Sequence, residues 1–108
     1  MQKYRNKKIV IDGKKFDSKK EANRFIELSI FENRSEIYDL QTQVRFEIIP
    51  KNNKFRSIIY VADFVYIDNN GNMIVEDVKG YKRGAAYAMF KVKQKLMYYF
   101  HKIEVIEI

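Results

Sequence analysis

Cysteine and tryptophan are absent from this 108-residue sequence, and histidine occurs once, as His101. Without thiols there are no disulfides and no thiolate zinc sites. A single imidazole excludes a histidine-based triad or histidine metal cluster. A reactive site in this chain therefore has to be built from carboxylates, lysine and tyrosine. Long apolar runs are also missing: none approaches the ~20 residues of a membrane span. The start, MQKYRNKKIVIDG, is basic but lacks the apolar segment of a signal peptide. A cytoplasmic protein with no membrane partner is expected.

Hydrophobic residues make up 46% and aromatics 15%, which excludes disorder as the main description. Residues 1–108 are read as one domain, small for an enzyme but large enough for a core. Lysine and arginine number 21 against 14 acids, a formal charge of +7. That excess points to a polyanionic partner, nucleic acid above all, although a soluble protein can be basic without one.

Charge is misplaced in one stretch. Residues 58–80, IIYVADFVYIDNNGNMIVEDVKG, read as two strands and a tight turn. Asp63 lies inside an apolar strand, and Asp77 and Lys79 end the next one. A carboxylate there costs several kcal/mol unless compensated. Asn69-Asn70-Gly71 fits a three-residue loop with Gly71 in the left-handed region. That register pairs Ile67 with Met73 and Val65 with Val75, and sets Asp63 opposite Asp77 and Val61 opposite Lys79. Opposed residues share a face, with β-carbons about 5 Å apart. Two facing acids repel, and a divalent cation between them turns repulsion into coordination. A two-residue Asn70-Gly71 loop is the alternative and would set Asp63 opposite Val78.

The rest of the chain frames this hairpin. MQKYRNKK is a frayed end or a phosphate-contacting arm. Asp12-Gly13 is a turn between Ile9–Ile11 and Lys14–Phe16, giving a short ribbon. Ser18-Lys19-Lys20-Glu21 matches a capping box opening a helix from Lys19 to about Asn33, with Ala22, Phe25, Ile26, Leu28 and Ser29 inward. Glu21 lies on or beside that stripe, either as a cap or as an acid aimed at the sheet. Residues 34–43 read as a linker burying Ile37 and Leu40, and Val44 to Pro50 as a strand with Val44, Phe46 and Ile48 on one face. After Gly80, Tyr81, Lys82 and Arg83 form a basic-aromatic loop suited to a phosphate backbone or simply solvated. A second helix spans about Ala85 to His101, with Met89, Val92, Leu96, Tyr99 and Phe100 expected inward and a basic line of Lys91, Lys95 and Lys102. Gln94 and Tyr98 reach towards the acidic patch or into solvent. Ile103–Ile108 forms a last strand.

KFDSKKEANRF, YVADFVY, VEDVKGYK and the second helix together resemble the PD-(D/E)XK nuclease superfamily, within it the short phage-type endonucleases related to Holliday-junction resolvases. The resemblance covers nearly the whole chain. It implies an α/β, restriction-endonuclease-like αβββαβ core: a mixed four-stranded sheet flanked by two helices, plus the N-terminal hairpin. Asp63 matches the motif aspartate, with Ala62 in the place of the motif proline. Asp77-Val78-Lys79 matches (D/E)-x-K, and Glu21 the helix glutamate of many members. Gln94 and Tyr98 match loosely a Gln-x-x-x-Tyr element.

By this resemblance the chain is expected to be a metal-dependent DNA endonuclease (hydrolase) for branched or junction DNA in phage DNA processing and recombination, working in the host cytoplasm. The implied catalytic residues are Glu21, Asp63, Asp77 and Lys79. Asp63, Asp77, the Val78 carbonyl and Glu21 would hold Mg²⁺ or Mn²⁺, with Glu76 as second choice. Lys19, Lys20, Tyr81, Lys82, Arg83, Lys91 and Lys95 are the expected DNA contacts, and a homodimer is a possible form. Two other readings are open: a non-catalytic nucleic-acid-binding module of the same fold, and an interaction protein with a diagonal Asp63–Lys79 ion pair.

Overall fold

The computed structural model describes residues 8–108, so most of the basic N-terminal segment lies outside the described residues. The elements run β1 (Ile9–Ile11), β2 (Lys14–Phe16), α1 (Lys19–Asn33), β3 (Tyr38–Ile49), β4 (Ile58–Ile67), β5 (Met73–Asp77), α2 (Gly84–His101) and β6 (Val105–Glu107). β1 and β2 form a separate two-stranded ribbon. Asp12 and Gly13 both take positive φ, 52° and 79°, as a type I′ hairpin turn requires. The main sheet has order β3-β4-β5-β6. Its first three strands are antiparallel, and α2 carries the chain over to β6, which runs parallel to β5. The expected αβββαβ core with an N-terminal hairpin is present.

Each face of the sheet is covered by one helix. On one side Ala22, Phe25 and Leu28 of α1 pack with Phe16, Ile37, Phe64 and Tyr66. On the other, Phe90 and Met97 of α2 pack with Ile48, Tyr60, Ala62, Val65, Val75 and Val105. Arg24 of α1 reaches the buried Glu76 with two hydrogen bonds, of 2.8 and 2.6 Å, and Tyr66 donates to the same carboxylate. A buried acid is tolerated here because all its partners are charged or polar.

Three expectations are corrected. The segment read as a linker is largely strand: β3 starts at Tyr38, where polar residues on an edge strand hide the alternation. Ile26 is exposed rather than inward. The face of α2 is also different. Phe90 and Met97 are 5% and 0% exposed, whereas Met89, Val92, Tyr99 and Phe100 are 54%, 48%, 74% and 52% exposed. At 100° per residue Val92 and Tyr99 lie nearly opposite Phe90 and Met97, and Met89 and Phe100 about a quarter-turn away. The helix has two apolar stripes, and the sheet selects the less conspicuous one.

The turn adopts the three-residue loop. Gly71 has φ 82°, its N–H donates to the Asp68 carbonyl, and Ile67 pairs with Met73 and Val65 with Val75. The ladder stops at Phe64 and Glu76. Beyond that point β4 and β5 diverge, so Val61 does not pair with Lys79. Asp63 and Asp77 flank the fork instead of forming a ladder pair. β4 also changes face here. In an unbroken pleat Tyr60, Ala62, Phe64 and Tyr66 would share one side. In fact Tyr60 and Ala62 face α2 while Phe64 and Tyr66 face α1. Gln43, opposite Asp63 on β3, has φ 54° and drops out of the ladder between the Thr42–Phe64 and Val44–Ala62 pairs. This break in the pleat puts Asp63 at the junction of the two faces.

Candidate active site

The fork between β4 and β5 opens into a cavity of about 650 Å³, and Glu21, Asp63, Asp77, Val78 and Lys79 all line it. Each reaches it for a local reason. Ser18 caps α1, its Oγ accepting the Glu21 N–H at 3.1 Å, which sets Glu21 at the helix end nearest the fork. The Glu21 carboxylate takes no reciprocal capping bond. It accepts a hydrogen bond from Gln43 Nε2 at 3.2 Å, and the same amide reaches Asp63 Oδ1 at 3.4 Å. Glu21 therefore serves both readings: its backbone is capped and its side chain joins the acids. The positive φ of Gln43 and its bridging role have one origin, since the broken pleat leaves its side chain free to lie between two carboxylates.

Asp63 replaces the missing ladder bond: its Oδ2 accepts the Val78 N–H at 2.8 Å. Its carboxyl has that of Asp77 as its neighbour across the fork. Burial, then Asp77, pushes the Asp63 pKa up to about 7 against the opposing pull of the Val78 amide and Lys79. Burial, then the charges of Asp63 and Asp17, pushes Glu21 to about 7. Lys79 Nζ stands 3.4 Å from Asp77 Oδ2 and 4.3 Å from the centre of the Phe90 ring. One ammonium thus stands against Asp77, in a cavity where Asp63 and Glu21 hold protons near neutrality.

Among the described residues, no three His, Cys, Asp or Glu side chains draw together closely enough to hold one metal ion. The convergence is the Asp63–Asp77 pair, with Glu21 attached through Gln43. Its donor chemistry nevertheless fits a hard divalent cation. The ligand atoms are carboxylate oxygens, Mg²⁺ sites commonly use one or two carboxylates, and two neighbouring acids gain from a cation between them. Glu76, the second-choice ligand, points to the other face and is occupied by Arg24 and Tyr66.

The expected DNA contacts divide. Tyr81 is 73% exposed at the cavity rim, and Lys19, Arg83 and Lys95 are exposed. Lys20 is committed elsewhere: its ammonium donates to the carbonyls of Lys79 and Ile108 at 2.8 and 3.0 Å, fastening α1 to the end of the sheet. Lys82 and Lys91 sit 3.4 and 3.1 Å from Glu107, to which Tyr87 also donates. Gln94 and Tyr98 do not join the acids, since Gln94 Nε2 donates to the Val105 carbonyl at 2.8 Å and Tyr98 is exposed.

Sequence reasoning missed three lining or bridging residues: Gln43, Tyr60 and Lys93. Lys93 lies outside the expected basic line of α2, and the different face that the helix turns to the sheet brings it to the cavity. Gln43 lay in the supposed linker and carried no signal. Tyr60 carried only a weak one, one of two tyrosine hydroxyls in the strand that holds Asp63.

No helix among the described residues is long and apolar enough to cross a membrane. No curated protein and no solved structure matches the chain. A family model described as "Protein of unknown function (DUF1064)" matches residues 1–106, and the chain belongs to that family.

Proposed function

We propose that this protein is a Mg²⁺- or Mn²⁺-dependent endodeoxyribonuclease that hydrolyses phosphodiester bonds, with branched or junction DNA as the preferred substrate. The observation that carries the reading is the convergence of Asp63, Asp77, Glu21 and Lys79 on one open cavity at a strand fork. An acidic cluster repels DNA, so a module that only bound nucleic acid would gain nothing from it, whereas a hydrolase requires it.

Asp63 and Asp77 would hold the ion, with the Val78 carbonyl as a further oxygen and Glu21 alongside, attached through Gln43. When bound, the ion supplies charge neutralisation at the phosphoryl oxygens and a more acidic attacking water. Lys79 orients the water and offsets phosphate charge; its position against the Phe90 face fixes it beside Asp77. Val78 fixes the Asp63 carboxylate through its N–H. Gln43 keeps Glu21 and Asp63 aligned. At the rim, Tyr81 and Lys93 offer stacking and cationic contacts to a backbone.

The test is a cleavage panel in Mn²⁺ with a four-way junction, a flap, a single strand and plain duplex, using wild type beside Asp77→Ala. Wild type is expected to cut, with the branched substrates fastest, and Asp77→Ala to be inactive. Absence of cleavage on all four, or equal cutting by the variant, would remove the proposal.

A further inference from the structure

Tyr60 is 4% exposed, and its ring sits between Phe46 and Phe90, with centroid distances of 6.3 and 6.5 Å. Phenylalanine would fill this slot equally well. The hydroxyl is buried and, among the described residues, it is the one buried side-chain polar atom without a hydrogen-bond partner. Leaving such a group unsatisfied costs about 1–3 kcal/mol. Its ionisation is opposed first by burial and next by Asp77, which lies beside it. The hydroxyl is sealed from solvent, so neither a substrate nor bulk water is its partner. What remains is a protein group that turns towards it. Asp77 is that group: Lys79 holds it from one side and Asp63 competes for it on another.

We infer that Tyr60 is a positioning residue for Asp77: the buried hydroxyl donates to the Asp77 carboxylate when that carboxylate is engaged by a divalent cation, and fixes its orientation. The inference rests on the nuclease reading, because it takes Asp77 as a ligand. It goes further by assigning a role to a residue outside the acidic motif. Outer partners of metal ligands are typically worth 10–100-fold in metal affinity.

The experiment titrates Mn²⁺ calorimetrically into the full chain, wild type and Tyr60→Phe, and melts both in EDTA. Tyr60→Phe is expected to bind Mn²⁺ about 10–100-fold more weakly. Its metal-free melting temperature should equal or exceed that of wild type, because the variant removes an unsatisfied hydroxyl. Unchanged Mn²⁺ affinity in Tyr60→Phe, beside a wild type that binds, overturns this inference alone. A lower metal-free melting temperature in the variant assigns Tyr60 to core packing and also overturns it. A wild type that binds no Mn²⁺ overturns the nuclease reading together with this one.

Discussion

Replacing Asp63 by Asn should make the metal-free protein more stable at the same time as it destroys the site. Asp63 has an ordinary pKa of 3.8, raised to about 7 in the fold by burial and by Asp77. Because the folded pKa is the higher one, the native state holds the proton more tightly. That contribution is fully present below about pH 4 and is lost as pH rises through about 7. Carrying a carboxylate over that interval corresponds to roughly 4 kcal/mol. Asp63 is only half-buried and the fork can relax, so a net cost of about 1–2 kcal/mol at pH 8 is the reasonable figure. Asparagine can still accept the Val78 N–H but carries no charge against Asp77. In a domain of this size, such a gain raises the melting temperature by about 5–10 °C.

The assay is thermal melting of both proteins from pH 5 to 8, first in EDTA and then in Mn²⁺. In EDTA the variant should gain on wild type as pH rises, and the two should approach each other at pH 5. In Mn²⁺ only wild type should be stabilised, since only a native state that binds the ion gains from it. A variant less stable than wild type at pH 8 in EDTA, or a difference that ignores pH, would refute the reasoning.

Further expectations follow from other parts of the site and its frame. Lys79→Ala should lower the cleavage rate by roughly 100-fold or more, in line with the loss of one preorganised charge-stabilising group. Duplex binding measured by gel shift should survive, and full cleavage activity in this variant would contradict the role given to the lysine. Arg24→Met should destabilise the fold by about 3 kcal/mol in urea melts, because it strands the buried Glu76 carboxylate. Arg24→Met combined with Glu76→Leu should recover most of that loss, and a single variant as stable as wild type would show that the pair is not needed.

Local chemistry was the part of the fold most legible in the residues. Asp12-Gly13 needs only two positive φ angles to fold the ribbon, and Ser18 needs only the next turn of backbone to start α1. Asn69-Asn70-Gly71 sets its register within five residues, so the placement of Asp63 towards Asp77 followed from the turn. The candidate site was legible to the same extent: an acid in an apolar strand and an acid-x-lysine after the turn are visible as mismatches between residue type and environment. β3 was not legible over its first half, because an edge strand exposes both its polar side chains and one row of backbone groups, and the alternation disappears.

What only the tertiary structure decided lies where two solutions were locally equal. α2 carries two apolar stripes, and periodicity ranks them by composition; packing on Tyr60, Ala62 and Val75 chose Phe90 and Met97. The Glu21 carboxylate had a cap and a cavity available, and Gln43, distant in sequence, drew it to the cavity. Strand divergence after Phe64–Glu76 turned the expected Asp63–Asp77 ladder pair into a fork closed by the Val78 N–H. The isolated hydroxyl of Tyr60 exists only because two strands, a helix and an aspartate enclose it. The sequence by itself determined the turns, the caps and the residue types that meet. The three-dimensional packing determined which atoms meet, because long-range contacts choose between local states of nearly equal energy.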